Sequence, residues 1–184
     1  MSCKIYIQKY DYSNLPRGQK KQRETANGRE LLSYAVNDSY GISADSLAIK
    51  TGEHGKPYFE NSRIQFNISH SGDYAAAAVC YYPVGVDVQC IRQVKDRMIE
   101  KLCSGKEIEY VNSFDNKSRA FIRLWALKES YIKAIGMGMA FPMDKINFDI
   151  RSADDTVSGR ISNKEGLYYM TDCSEFVIAA CVFV

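Results

Sequence analysis

The sequence has no Cys-x-x-Cys pair and only two histidines, which argues against a Cys/His zinc site. It has no run of about 18 apolar residues, so no transmembrane helix is expected. The N-terminus, Met1-Ser2-Cys3-Lys4-Ile5-Tyr6, lacks the apolar core of a signal peptide. Charge of one sign is missing too. The 24 basic residues nearly cancel the 22 acidic ones, unlike the basic excess of a dedicated nucleic-acid binder. No Gly-x-x-x-x-Gly-Lys-Ser/Thr loop occurs, which removes a P-loop enzyme. What remains is ordinary for a soluble globular chain: 46% hydrophobic and 25% charged residues over 184 positions. That length suits one large domain or two small lobes. Cys80 and Cys181 lie in apolar runs and read as small core residues. Six free thiols without an export signal imply a reducing cytoplasm.

The patterning alternates strands with helices. Lys4 to Gln8 reads as a first strand. Arg17 to Val36 reads as a helix with a soft start, interrupted at Asn27-Gly28. Its cations (Arg17, Lys20, Lys21, Arg23) fit a solvated helix face. Thr51 to Tyr58 is a loop by composition, with Gly52 and Gly55 permitting close backbone approach. Ile64 to Ser69 alternates apolar and polar residues, Ser71-Gly72-Asp73 turns the chain, and Tyr74 to Tyr82 is a buried strand. The capping-box spacing of Ser104 and Glu107 opens a short helix to about Asn112. Asp115-Asn116 caps a long helix that ends at Ile135, before Gly136, Gly138 and Pro142.

The segment Asp73 to Tyr81 resembles Glu175 to Phe183, and the preceding strands match in phase: Phe66 and Ile68 against Tyr168 and Met170. Two related lobes follow, about 1–83 and 84–184, each an antiparallel hairpin with a packed helix. His70 of the first copy is replaced by Asp172 in the second. The chemistry is therefore asymmetric and belongs between the lobes.

Five positions resist a plain structural reading. Period two along Val84 to Gln89 sends the valines to one face and Gly85, Asp87 and Gln89 to the other. A carboxylate in so apolar a strand needs a metal ion, a cationic ligand or a solvated face, because an unpaired buried charge is costly. His70 sits between two hydroxyls, Ser69 and Ser71, at a strand end. On the long helix, Phe121, Leu124, Trp125, Leu127, Tyr131, Ile132 and Ile135 form an apolar arc at roughly 100° per residue. Glu129 and Lys133, one turn apart, lie opposite with Arg119 and Arg123. Lys128 projects from inside the apolar arc.

Three stretches occur in the order of one known family: Asn67-Ile68-Ser69-His70-Ser71, Gly85-Val86-Asp87-Val88-Gln89, and Trp125-Ala126-Leu127-Lys128-Glu129-Ser130-Tyr131-Ile132-Lys133. Gly55-Lys56-Pro57 precedes them. Over roughly residues 50 to 142 the chain resembles the 4′-phosphopantetheinyl transferase family. Its length and repeat resemble the monomeric, two-lobed branch that activates surfactin synthetase.

The resemblance implies an α+β (mixed α/β) fold of two pseudo-twofold lobes, each a small antiparallel sheet on a long helix. It implies transfer of the 4′-phosphopantetheine arm of coenzyme A to a serine of an apo acyl or peptidyl carrier protein, releasing adenosine 3′,5′-bisphosphate. Asp87 and Glu129, with Gln89 where the family commonly has Glu, would hold Mg²⁺. Lys133 would stabilise the phosphate charge. Glu129 or a metal-bound water would accept the serine proton. Lys56 and Pro57 would line the adenine and phosphate pocket. Ser69 and His70 would meet the nucleotide and its 3′-phosphate, with Arg17 or Lys20 and Arg29. The partners implied are coenzyme A and an acidic carrier protein, with no nucleic acid, no membrane and no second subunit. The stretch Arg92 to Lys106 is a candidate basic docking patch or a solvated helix face. Gln89 keeps open the alternative of a non-catalytic relative that binds coenzyme A or carrier proteins.

Overall fold

The computed structural model describes residues 3–13, 15–16, 18–138, 141–148 and 166–184. The order is β1 (Lys4–Lys9), α1 (Lys20–Tyr40), β2 (Ile49–Thr51), β3 (Pro57–Phe59), β4 (Gln65–Ser71), β5 (Tyr74–Cys80), β6 (Val84–Cys90), α2 (Asp96–Leu102), α3 (Gly105–Asn112), α4 (Lys117–Ile135), β7 (Leu167–Asp172) and β8 (Phe176–Val182). Two three-stranded antiparallel sheets result, ordered β1-β5-β4 and β6-β8-β7. Each runs strand, helix, hairpin, and in each the first strand pairs with the last. The mixed α/β fold with small antiparallel sheets is the one the sequence implied.

Alternation decides what each strand buries. Ala75, Ala77 and Val79 of β5 face α1 through Leu31, Leu32, Ala35 and Val36. Ala76, Ala78 and Cys80, on the other face, pack against Val84, Val86, Val88, Ala180 and Val182 of the second sheet. Small alanines let the two sheets approach closely there. Val177, Ala179 and Cys181 of β8 turn outward to α4. The layers run α1, first sheet, second sheet, α4.

Two local readings change. α1 passes unbroken through Asn27-Gly28 and continues to Tyr40. Both residues are buried, and a Cβ on Gly28 would stand 2.9 Å from Ile68 Cγ2 and 2.4 Å from His70 Nε2. Glycine is there so that β4 can approach the helix, and it breaks nothing. The Thr51 to Tyr58 loop is the tip of a small hairpin, β2 paired with β3. The stretch Arg92 to Lys106 contains α2.

α4 keeps the expected ends: Asn116 Oδ1 accepts from Arg119 N at 3.0 Å, and left-handed Gly136 (φ 76°) stops it. Its apolar arc, however, is not its only buried face. Ala126, Ser130 and Ala134 are buried as well, because β6 crosses them. A Cβ on Gly85 would lie 2.0 Å from Ser130 O and 2.4 Å from Ala134 N. Only glycine allows that crossing.

Candidate functional site

The close crossing of β6 over α4 brings Asp87 within reach of the helix. Asp87 is 2% exposed, and every oxygen is used. Its Oδ1 accepts from Ser69 Oγ at 2.8 Å and from Lys133 Nζ at 2.5 Å. Its Oδ2 accepts from Gln89 Nε2 at 2.8 Å. Lys133 also donates to Ser69 Oγ at 2.8 Å, which accepts in turn from Val88 N at 3.2 Å. A buried carboxylate, a hydroxyl and an ammonium thus share one network, as the cost of burying a lone charge requires.

Glu129 stands one turn before Lys133, half-buried, with no hydrogen-bond partner among the described residues. Burial raises its pKa above the usual carboxylate value, the Asp87 charge adds to the rise, and Lys133 opposes it. Two crowded carboxylates with one shared ammonium leave negative charge uncompensated. Among the described residues no group of three His, Cys, Asp or Glu side chains forms a metal cage. Asp87, Glu129 and the Gln89 amide make an all-oxygen donor set once the amide turns its oxygen inward. That set fits a hard dication such as Mg²⁺.

The edges of the two sheets are joined by side chains. Asn67 Oδ1, Ser69 Oγ and Ser71 Oγ of β4 accept from the backbone N–H groups of Val86, Val88 and Cys90 at 2.9, 3.2 and 2.9 Å. This ladder closes two strand edges that would otherwise present unpaired backbone. Sequence reading missed Asn67 and Ser71 as its rungs. The available signal was short polar residues at period two, opposite a strand of the same period.

The other expected ligand residues disperse. Ser69 is 3% exposed and belongs to the Asp87 network. His70 is half-buried, with Nε2 buried, unpartnered and turned toward Gly28. Burial lowers its pKa, Glu24 raises it and Lys133 lowers it. Lys56 turns inward. Its ammonium donates to Val84 O at 3.0 Å and to Ala134 O at 2.9 Å, tying the start of β6 to the last turn of α4. Burial pushes its pKa down to about 8. Pro57 opens β3, half-buried. Lys20 lies 3.9 Å from Glu24 and over the Tyr12 ring, and Arg29 is exposed on α1. Arg17 lies outside the described residues.

Lys128 takes no part in this cluster. It is 1% exposed and donates to Leu102 O at 2.6 Å and to Glu107 Oε2 at 2.8 Å. Glu107 completes the capping box at Ser104 N and accepts from Phe148 N at 3.0 Å. Asp172, the counterpart of His70, is gripped by Arg119 and Arg123. Both networks are structural and lie within residues 102–173.

A paired-sheet α/β fold with carboxylates and a lysine at the sheet junction is the class of architecture these residues define. The chain belongs to the 4′-phosphopantetheinyl transferase superfamily, whose family model matches residues 83–181. The model described as 4′-phosphopantetheinyl transferase, N-terminal, matches residues 6–81. The 4′-phosphopantetheinyl transferase gsp of Aneurinibacillus migulanus is 33% identical over 140 residues, covering 75% of this chain and 58% of its own. The L-aminoadipate-semialdehyde dehydrogenase-phosphopantetheinyl transferase of Mus musculus is 34% identical over 141 residues, covering 67% of this chain and 45% of its own. The chain thus spans about half the length of the curated relatives it matches. The crystal structure of Thermotoga maritima holo-[acyl-carrier-protein] synthase aligns over 55% of this chain and 62% of its own, at 18% identity and TM-score 0.47.

Proposed function

We propose that the protein transfers the 4′-phosphopantetheine arm of coenzyme A to a serine of an apo acyl or peptidyl carrier protein. The observation that carries this reading is the Asp87–Ser69–Lys133 network with Glu129 beside it. The site lies between an N-terminal lobe of about residues 1–83 and a C-terminal lobe of about 84–184. One chain supplies all of it, which fits a monomer, and six free thiols fit a reducing cytoplasm.

The serine oxygen attacks the phosphorus that bears pantetheine. A new P–O bond forms to serine, and the bond to the leaving adenosine 3′,5′-bisphosphate breaks. Lys133, a quarter exposed at the rim, supplies positive charge to the phosphate oxygens as they crowd. Glu129, or a water on the ion, would take the serine proton. Asp87, Glu129 and Gln89 would hold Mg²⁺, which neutralises pyrophosphate charge when bound. Ser69 keeps Asp87 in place. The relatives' names specify phosphopantetheinyl transfer, which supports the reading.

Chromatography of the nucleotide product tests it. With coenzyme A and Mg²⁺, adenosine 3′,5′-bisphosphate is expected only when an apo carrier is present. Release without any carrier indicates a hydrolase. Coenzyme A binding with no release, across several carriers, favours a non-catalytic relative. Gln89→Glu is expected to lower the Mg²⁺ concentration for half activity, and an unchanged value removes residue 89 from the ion site.

A further inference from the structure

In the described structure both oxygens of Asp87 are already taken, Oδ1 by Ser69 and Lys133 and Oδ2 by Gln89. Two of these three donors are neutral. The third, the Lys133 ammonium, is the one cation in contact with Asp87 among the described residues. Glu129, one turn away on the same helix face, keeps no such partner and feels the Asp87 charge. We infer that Lys133 is a stand-in cation at Asp87, which a divalent ion must displace when it binds Asp87 and Glu129. Loading the ion and freeing the lysine for substrate are then one event. This rests on the proposed metal-dependent reading.

A Mg²⁺ ion sits about 2.0–2.1 Å from a carboxylate oxygen. An ammonium left on that same oxygen would be held close to a dication, and like charges at that separation repel strongly in a site shielded from water. Three features let Lys133 yield. Its side chain is 25% exposed, against 2% for Asp87, so an outward path is open. It stands in the last turn of α4, on a flexible four-carbon stem. Ser69 Oγ still holds Asp87 after it leaves. The outward path leads to the solvent side, from which a phosphate must come. The same lysine would so neutralise Asp87 in the resting protein and the phosphate in the loaded one.

Titration of the full chain with Mn²⁺, followed by electron paramagnetic resonance without coenzyme A, tests this. Lys133→Met is expected to bind Mn²⁺ about tenfold tighter than wild type, since a competing positive charge is gone. An unchanged or weaker affinity in Lys133→Met, with wild type binding normally, overturns the inference. Lys133→Met combined with Glu129→Gln is expected to lose the gain, which ties it to this pair of carboxylates. Wild-type protein gives an answer that needs no variant to fold. The lysine ammonium resonance of Lys133 is expected to shift on adding Mg²⁺ while that of Lys56 stays put. A stationary Lys133 resonance at saturating Mg²⁺ contradicts displacement. If neither wild type nor Lys133→Met binds Mn²⁺ and no carrier is modified, the metal-dependent reading itself fails, a result distinct from the others.

Discussion

At the scale of single residues, the adjacent pair Lys128 and Glu129 shows how one helix serves two ends. Lys128 is locked against Glu107 with both side chains out of water. Removing one partner strands a buried charge, so Lys128→Met is expected to lower stability by about 3–5 kcal/mol. Urea unfolding measures it, and a loss below about 1 kcal/mol would show that the pair is dispensable. The sequence marked Lys128 as misplaced in an apolar arc. It did not show the partner, because Glu107 is 21 residues distant and was already assigned to a capping box.

Glu129 carries a pH signature. Its raised pKa means that the folded protein prefers the protonated carboxyl. The associated stability is therefore present below the ordinary value of 4.5 and is lost as pH rises through the raised value. Without ligand, Glu129→Gln is expected to be more stable than wild type at pH 7, with the difference vanishing below the ordinary carboxylate value. Equal urea midpoints at both pH values would mean that burying Glu129 beside Asp87 costs nothing.

At the scale of elements, the crossing of β6 over α4 is what builds the site, and Gly85 sets its distance. Gly85→Ala places a methyl group against backbone atoms that cannot swing away. It is expected to cost about 3 kcal/mol or more and to abolish transfer by moving Asp87 from Lys133. Gly28→Ala meets side chains instead, the His70 ring and the stiff Ile68 Cγ2, while alanine favours helix by about 1 kcal/mol. It is expected to cost less than Gly85→Ala. Thermal unfolding of both variants distinguishes a backbone contact from a side-chain one. The limits of α4 were legible because Asn116 and Gly136 act locally. The β4–β6 ladder was not, since its rungs join different sheets. Asn67→Ala would leave the Val86 N–H without its acceptor and is expected to cost about 1–3 kcal/mol.

At the scale of the whole molecule, one topology occurs twice, and the two sheets meet through an apolar core of alanines and valines. Lys9 and Tyr74 of the first sheet both hold Glu175 beside the second. The repeat was legible because Asp73 to Tyr81 and Glu175 to Phe183 share length and pattern. The division of labour was partly legible: three motifs from β4, β6 and α4 do converge on Asp87. Lys56 shows the limit. A Gly-Lys-Pro loop suggests a phosphate, but burial turned this ammonium to two backbone carbonyls, and no local pattern reports such a choice. Covalent transfer is the step that defines the proposed activity. The intact mass of an apo carrier protein, incubated with coenzyme A, Mg²⁺ and this chain, is expected to rise by one phosphopantetheine arm on a single serine, and to stay unchanged with Glu129→Ala. A carrier mass that never rises, across fatty-acid, polyketide and peptide-synthesis carriers, would contradict it.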